Sequence, residues 1–148
     1  MSTPNHDRCV CPDSPPLLLR SDLSPNPVAC ARCNHDVPPE TLSLPAELAE
    51  ALASWRRFHD CFYLLWLDSA EFEGWARDQL ADPSSPVNTR GLALRERLEA
   101  ARRTFFWWFQ DTGAPDHRPP TTCPLCAAAL TERGLVGRTC DACSILVA

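Results

Sequence analysis

The chemistry of this chain is concentrated in its cysteines, which number nine among 148 residues. Cys123 and Cys126 are separated by two residues, and so are Cys140 and Cys143, with thirteen residues between the two pairs. Two cysteines at this spacing curl around one cation, and two such knuckles joined by a hairpin offer four sulfurs to a tetrahedral Zn²⁺. The four C-terminal cysteines therefore predict a zinc ribbon.

The residues between the two C-terminal pairs suit a short hairpin whose turn needs glycine, and they include Leu130, Gly134, Leu135, Val136 and Gly137. So short a segment cannot build a hydrophobic core of its own, whereas metal binding contributes on the order of 10 kcal/mol to the folding of small zinc modules. Disulfides or unbound thiols are the alternatives to a metal. Iron is the alternative to zinc, because the Cys123-Pro124-Leu125-Cys126 knuckle resembles the C-P-x-C-G start of rubredoxin sites, although Ala127 replaces the glycine.

A second set of four cysteines near the N-terminus predicts a second metal site. Cys30 and Cys33 form another knuckle with two spacer residues, and Cys9 and Cys11, with one spacer, are its candidate partners. Thiolates one residue apart can chelate one ion if the intervening backbone bends sharply. The leucine run at 17–19 lies between the two pairs among prolines, so it predicts short edge strands of a ribbon.

Three alternatives stay open for the N-terminal set. Cys30 and Cys33 alone bind the metal, with His35 or His6 completing the site; the segment is a disordered leader; or knuckles from the two termini share one site. Spacing alone does not decide among them. The preferred interpretation is that the chain binds two Zn²⁺ through eight cysteines, which are Cys9, Cys11, Cys30, Cys33, Cys123, Cys126, Cys140 and Cys143.

The sequence offers no residue that could carry out catalysis at these sites. Cys61 is the ninth cysteine, and because a lone helical cysteine is most often a small buried hydrophobe, we expect it in the core. His59 cannot act as its base, since residues two apart on a helix point to different faces. Metalloprotease, deaminase, nucleotide-binding and nucleophile-elbow motifs do not occur, and four thiolates leave zinc no open position. We therefore predict a non-enzymatic protein, with an accessory metal-dependent enzyme subunit as a further alternative.

The helices that position the cysteines follow from the fifteen prolines, which crowd into the two ends of the chain. A long helix fits only in the middle, because proline lacks an amide donor and fixes its own backbone. A helix is predicted over 45–67, and its apolar stripe is Leu48, Leu52, Trp55, Phe62 and Trp66. Capping signals at Asp68-Ser69-Ala70-Glu71 and at Ser85-Pro86 predict a second helix that ends before Pro83 and a third that reaches Ala101.

The segment 104–109 is almost entirely aromatic and predicts a strand covered on both faces, through which the two cysteine-rich ends can dock on each other. The same run resembles a stacking platform for single-stranded nucleic acid, although core packing is the preferred interpretation. Local basic density occurs only around the third helix, at Arg90, Arg95, Arg97, Arg102 and Arg103. The interleaved Glu96 and Glu99 favour ordinary ion pairs three and four residues apart.

The charge balance disfavours a general binder of polyanions. The net charge is −5 and all fourteen basic residues are arginine. Arginines do not exceed acidic residues in any third of the chain: they number three against five in 1–45, eight against eleven in 46–111, and three against three in 112–148. The sequence contains no run of roughly eighteen apolar residues, so it predicts no membrane span, and no signal-peptide pattern opens the chain. We therefore expect a cytoplasmic protein, whose paired cysteines stay reduced and bind metal.

Several motifs together resemble a family of bacterial zinc-ribbon-containing proteins of unknown function. The motifs are Leu65-Trp66-Leu67-Asp68-Ser69-Ala70-Glu71, Asp82-Pro83-Ser84-Ser85-Pro86-Val87-Asn88 with Gly91, the aromatic run, Cys140-Asp141-Ala142-Cys143-Ser144, and, near the N-terminus, Leu23-Ser24-Pro25, Cys30-Ala31-Arg32-Cys33 and Pro38. The resemblance covers roughly residues 9–147. It implies nucleic-acid binding, a label that such proteins carry on the strength of the ribbon, although ribbons as often hold proteins together.

The sequence thus predicts an α+β protein in three parts. An N-terminal Cys-rich ribbon spans 1–44, a middle of three helices with the aromatic strand spans 45–112, and a C-terminal zinc ribbon spans 113–148, with short antiparallel strands in both ribbons. Zinc orders the two ends, which then present a rigid binding surface with the helices. A protein partner is favoured, nucleic acid is the alternative, and no membrane is involved.

Overall fold

The computed structural model describes residues 7–148 and has a mixed α+β architecture. Its strands are β1 (Leu17–Leu19), β2 (Val28–Cys30), β3 (Thr104–Trp107), β4 (Thr131–Glu132), β5 (Arg138–Cys140) and β6 (Ile145–Val147). A short 3-10 helix at Pro39–Leu42 precedes the α-helices, which are α1 (Ala46–Asp68), α2 (Glu73–Ala81) and α3 (Pro86–Glu99).

One six-stranded sheet joins the two cysteine-bearing ends, in the order β2-β1-β3-β6-β5-β4. The outer strands pair antiparallel, β1 with β2 on one side and β4, β5 and β6 on the other. The aromatic strand β3 lies between these units and runs parallel to both β1 and β6. The short antiparallel strands predicted at each end of the chain are present, and the parallel pairing at the centre of the sheet is a feature that the sequence did not predict. Parallel neighbours need a long crossover, which the helices supply between β1 and β3.

The leucine strand β1 is an interior strand, so the expectation that it lies at an edge is wrong. Leu17, Leu18 and Leu19 are all buried, although alternate residues of a strand point to opposite faces. Two-sided burial of this kind is typical of strands with a neighbour on each side and both faces covered. The edge position belongs to β2.

The strand β3 ends at Trp107 and is thus shorter than the predicted 104–109. The chain still follows the sheet beyond it, because the Trp108 amide donates to the Leu146 carbonyl at 2.9 Å. Phe106 packs with the helices on one face, whereas Phe105 packs on the other face against Leu18 and the hairpin after β4. The prediction that this strand is covered on both faces is confirmed.

Helix α1 begins within one residue of the predicted position and packs its first half on the sheet. The buried residues of α1 are Leu48, Leu52, Trp55 and His59. Phe62 and Trp66, predicted to continue the stripe, are half-buried and pack on other aromatic rings instead. The ring centroids of Phe62 and Trp75 are 5.5 Å apart, and those of Trp66 and Phe109 are 4.9 Å apart.

The start of α3 is fixed by the capping residues that the sequence predicts. The Ser85 hydroxyl accepts a hydrogen bond from the Asn88 amide at 3.4 Å, and Pro86 is the first helical residue. The buried Asn88 side chain then donates to the carbonyl oxygens of Leu80 at 2.9 Å and Asp82 at 2.8 Å. Asn88 therefore satisfies carbonyl groups at the C-terminal end of α2 and ties the two helices together.

Gly91 marks the closest approach of α3 to the core. A Cβ atom at this position would lie 2.5 Å from the Phe106 ring and 2.9 Å from the Trp55 ring. Trp55 is itself held in place, since its indole nitrogen donates to the Val87 carbonyl at 2.8 Å. Glycine is tolerated inside this helix because α1, α3 and β3 meet there without room for a side chain.

Candidate metal centres

The four N-terminal cysteines converge beside the hairpin formed by β1 and β2. Cys30 is the last residue of β2, and Cys33 lies in the turn that follows. The segment that carries Cys9 and Cys11 runs alongside, since the Cys9 amide donates to the Asp36 carbonyl at 2.9 Å. All four sulfur atoms lie within 4.8 Å of one another. The fold thus brings the C-x-C pair and the C-x2-C pair to one place.

The four C-terminal cysteines form a second group near the opposite edge of the sheet, beside β5 and β6. Cys140 is the last residue of β5, and Cys143 precedes β6, so this hairpin carries one knuckle. The other knuckle is closed by the Ala127 amide, which donates to the Cys123 carbonyl at 2.9 Å. The four sulfurs again lie within 4.8 Å of one another, and those of Cys126 and Cys140 are 3.6 Å apart.

Three of the four cysteine pairs share one backbone feature: the residue directly after the second cysteine has the left-handed conformation. These residues are Asn34, Ala127 and Ser144, with φ of 61°, 62° and 58°. The conformation costs residues that carry a Cβ atom roughly 1–2 kcal/mol, so the surroundings must hold it in place. Ala127 therefore adopts the backbone conformation that glycine would take more readily at this position.

At Asn34 and Ala127, the left-handed residue turns the next amide toward the sulfur of the preceding cysteine. The backbone amides of His35 and Ala128, each two residues after a second cysteine, donate to the sulfurs of Cys33 and Cys126. At the first cysteines, the Arg32 and Leu125 amides lie 3.4 Å from the sulfurs that precede them by two residues. Amide donors favour a thiolate over a thiol, and the Ala128 amide is the main cause that lowers the pKa of Cys126.

Burial and the neighbouring sulfurs have the opposite effect on the pKa values of Cys140 and Cys143. Burial, followed by the adjacent thiols of Cys126 and Cys140, raises the pKa of Cys143 to about 12. Burial likewise raises the pKa of Cys140. Four thiolates cannot share so small a volume without a cation, because their negative charges repel one another. A divalent ion removes this repulsion: the thiols release their protons and bind the ion as thiolates. The donor set therefore fits a metal ion that prefers sulfur, such as zinc or iron.

The alternatives for the N-terminal set are distinguished by the positions of its neighbours. Within residues 7–148 the two groups are separate, and each contains cysteines from one end of the chain only. His35 is exposed and lies outside the N-terminal group, while His6 falls outside the described residues. Cys9 and Cys11, rather than His35, stand beside Cys30 and Cys33.

The expectation that Cys61 is buried in the core is wrong, because its side chain is exposed. The helix turns about 100° per residue, so Cys61 points away from the face on which Trp55 and His59 are buried. His59 occupies the core position instead and is only 3% exposed. Its Nδ1 atom has no hydrogen-bond partner among the described residues, and burial lowers the pKa of His59 to about 4.

The aromatic run and the arginines of α3 are largely engaged within the fold. Phe105, Phe106, Trp108 and Phe109 are each at most 5% exposed, which confirms the interpretation as core. Arg95 lies 2.8 Å from the Glu99 carboxylate and Arg103 lies 3.3 Å from it, so the predicted ion pairing is confirmed there. Arg90 instead places its guanidinium 4.7 Å above the Phe58 ring.

Comparisons of this chain with protein-family models, with curated proteins and with solved structures returned no match. Among residues 7–148, none of the helices has both the length and the apolar composition that crossing a membrane requires. The fold and the sites still define a class of protein: a mixed α+β chain whose single sheet carries two four-cysteine groups, each able to hold one metal ion. The resemblance to zinc-ribbon proteins stays a prediction from sequence motifs.

Proposed function

We propose that each four-cysteine group holds one structural Zn²⁺ and that the protein is a non-enzymatic adaptor that binds a protein partner. The observation that carries the metal assignment is the convergence of eight of the nine cysteines into two groups, with the four sulfurs of each group within 4.8 Å. Zn²⁺ takes four thiolates in tetrahedral geometry, and sites of this composition are structural. Iron is the alternative metal, because the same four sulfurs accept it.

The metal has a clear structural task at the C-terminal end. Strand β4 has two residues, both exposed, and none of residues 124–129 is buried, so this part of the C-terminal end buries little apolar surface, whereas β6 is buried in the sheet. A bound ion would tie the loop that carries Cys123 and Cys126 to the β5–β6 hairpin and supply the missing stability. Four protein ligands leave no open position for water or substrate, which supports a structural role over a catalytic one.

A protein partner is supported by the character of the surface. The chain carries a net charge of −5, and the side chains of Phe105, Phe106, Trp108 and Phe109, the part of the aromatic run that could stack on bases, are buried in the core. Apolar side chains are exposed around the junction of α1 and α2, namely Leu64, Leu67, Phe72 and Trp75. Clustered exposed apolar side chains are typical of surfaces that contact other proteins. A nucleic-acid-binding zinc-ribbon protein is the alternative, which the sequence resemblance favours.

Elemental analysis of the purified chain tests the metal assignment. We expect two zinc ions per chain in the wild type and one in each of the variants Cys30→Ser and Cys140→Ser, because each removes one ligand from a different group. Cys61→Ser is the matched control, since Cys61 is exposed and belongs to neither group, and it should keep both ions. A wild type without metal would overturn the proposal. Iron instead of zinc in the purified chain would leave the two sites in place but assign iron as their metal.

Oligonucleotide binding at low salt separates the adaptor from its alternative. The measurement is fluorescence anisotropy with single- and double-stranded oligonucleotides in about 50 mM salt, because attraction to phosphates is strongest at low salt. We expect no binding even there, since the chain carries a net charge of −5. Binding that weakens steeply as the salt concentration rises would favour the nucleic-acid binder. The zinc content of the same sample shows whether the metal sites are loaded.

A further inference from the structure

A surface pocket of about 360 Å³ is lined by residues of both cysteine-bearing ends, and three of its lining residues are arginines. Arg32 belongs to the Cys30–Cys33 knuckle, Arg103 directly precedes β3, and Arg133 lies just after β4. Arg32 and Arg133 are exposed, and the pocket also contains one carboxylate, that of Asp141. Positive charge is thus gathered at one place on a chain whose net charge is negative.

The walls of this arginine pocket are held together by backbone hydrogen bonds between distant segments. The Val136 amide donates to the Ala31 carbonyl at 2.8 Å, which joins the C-terminal hairpin to the N-terminal knuckle. The Ala31 amide donates to the Pro16 carbonyl at 2.9 Å, and the Leu17 amide donates to the Arg103 carbonyl at 2.7 Å. The backbone segments that carry the arginines are therefore fixed relative to one another before a ligand binds, which lowers the entropic cost of binding.

The three arginines differ in the partners that their guanidinium groups already contact within the fold. Arg103 is fixed over the Phe105 ring at 4.4 Å and donates to the Ser144 hydroxyl at 2.7 Å. Arg133 is paired with Asp141 at 2.7 Å, but both side chains are largely exposed. Arg32 donates only to a carbonyl oxygen, at 3.4 Å, and forms no ion pair with a carboxylate of residues 7–148. Arg32 is therefore the guanidinium that is free to take up an anion.

We propose that the arginine pocket binds an anionic side chain, a carboxylate or a phosphoryl group, of an acidic peptide segment in the protein partner. Guanidinium groups bind both kinds of oxyanion through paired, charge-assisted hydrogen bonds. Arg32 and Arg133 are the binding groups, and Arg103 forms the fixed wall between them. This inference rests on the proposed function, because the metal must order both knuckles before the pocket can form.

A peptide suits the pocket better than a nucleic-acid strand. The pocket is a single concavity, and the neighbouring carboxylates of Asp141 and Glu99 would repel a phosphate backbone that continued past it, whereas a peptide can present one anionic side chain between neutral residues. A competing role for the arginines is to offset the charge of the metal sites, since four thiolates around a divalent ion leave a net charge of about −2. The two roles predict different effects of substitution, so one experiment separates them.

The test measures binding of fluorescein-labelled peptides to the zinc-loaded full chain by anisotropy. One peptide carries a single glutamate among neutral residues, a second carries phosphoserine in its place, and a third carries glutamine. The first or second should bind and the third should not, and the tighter of the first two identifies carboxylate or phosphoryl as the anion. Arg32→Gln should weaken binding roughly tenfold, about the loss expected for one charge-assisted hydrogen bond.

Two further variants complete the design. Arg133→Gln removes a pocket arginine that is not adjacent to any cysteine, and it should also weaken binding several-fold. Arg57→Gln is the matched control, because Arg57 is an exposed arginine of α1 away from the pocket, and it should leave binding unchanged. Zinc content is measured on every sample, so a failure of the metal assignment is seen separately from a failure of the pocket.

Three results would overturn the inference. The first is that neither acidic peptide binds the zinc-loaded chain at millimolar concentration. The second is that Arg32→Gln lowers zinc content while Arg133→Gln leaves peptide binding at the wild-type level, which would assign the arginines to charge compensation. The third is that a single-stranded oligonucleotide of equal charge binds more tightly than either peptide and loses affinity on Arg32→Gln.

Discussion

Replacement of His59 by leucine should remove a large part of the acid sensitivity of this fold. His59 lies on the buried face of α1, where its ring centroid is 5.3 Å from that of Trp55 and 6.1 Å from that of Tyr63. Burial is the main cause that lowers the pKa of His59 to about 4, and the negative charge of Asp22 opposes that effect only in part. The imidazole is therefore neutral in the folded protein wherever the pH exceeds about 4.

The size of the acid destabilisation follows from the difference between the pKa of His59 in the folded chain and its pKa in the unfolded chain. The unfolded chain takes up a proton at His59 below pH 6.5, whereas the folded chain does so only below about 4. Between these values the unfolded state binds more protons, so the free energy of unfolding falls as the pH falls. The full loss is about 3 kcal/mol, at 1.36 kcal/mol per pKa unit, and about 2 kcal/mol of it has accumulated at pH 5. For a domain of this size, that is roughly 4–8 °C in melting temperature.

The assay compares the wild type with His59→Leu in thermal melts at pH 7 and pH 5. Acid also protonates cysteine ligands, but this affects both proteins alike, so the informative quantity is the difference between their two pH-dependent shifts. We expect the wild type to lose roughly 4–8 °C more than the variant between the two pH values. Equal shifts for the two proteins would show that His59 is not held neutral by burial, and the reasoning would fail.

Three other substitutions test the packing and the knuckle geometry. Gly91→Ala should lower the free energy of unfolding by roughly 1–2 kcal/mol in urea titrations, since contact with the Phe106 ring outweighs the gain in helix propensity; unchanged stability would mean that the ring moves freely. Asn88→Ala should cost about 2–4 kcal/mol, because it leaves two carbonyl groups at the end of α2 without their donor, and a loss below about 1 kcal/mol would contradict this. Ala127→Gly should relieve about 1 kcal/mol of strain and make the C-terminal site retain zinc about fivefold better against a chelator. Weaker retention would argue against strain at that residue.

The local elements could be predicted from the sequence because their signals lie within a few residues. The proline-free stretch and the i, i+3 and i, i+4 spacing of Leu48, Leu52 and Trp55 define α1, and Ser85-Pro86 defines the start of α3. The four cysteine pairs are equally local, since each pair needs only its own spacer to form a turn around an ion. His59 could have been recognised as buried, because it stands four residues after Trp55 on the same helical face.

The order and direction of the strands could not be predicted from local signals. Strands β1 and β3 pair although the whole helical middle lies between them in the chain, and no spacing rule reveals that they run parallel. The exposure of Cys61 was missed because its apolar character was given more weight than its angular position on α1. Arg32 and Arg133 belong to different ends of the chain, so the arginine pocket exists only in the assembled sheet.

The sheet itself explains why this chain would need metal at both ends rather than at one. Its strands have only two to four residues each, so few hydrogen bonds hold each neighbouring pair. The aromatic strand β3 is anchored by the helices and pairs with β1 and β6, but β2, β4 and β5 do not pair with β3 and depend on their hairpin partners for their register. A metal in each group would fix one hairpin unit, and β3 would then set the two units in position against each other. The arginine pocket lies where the two units meet, so metal binding at both sites would control the pocket that is proposed to bind the acidic segment of a partner.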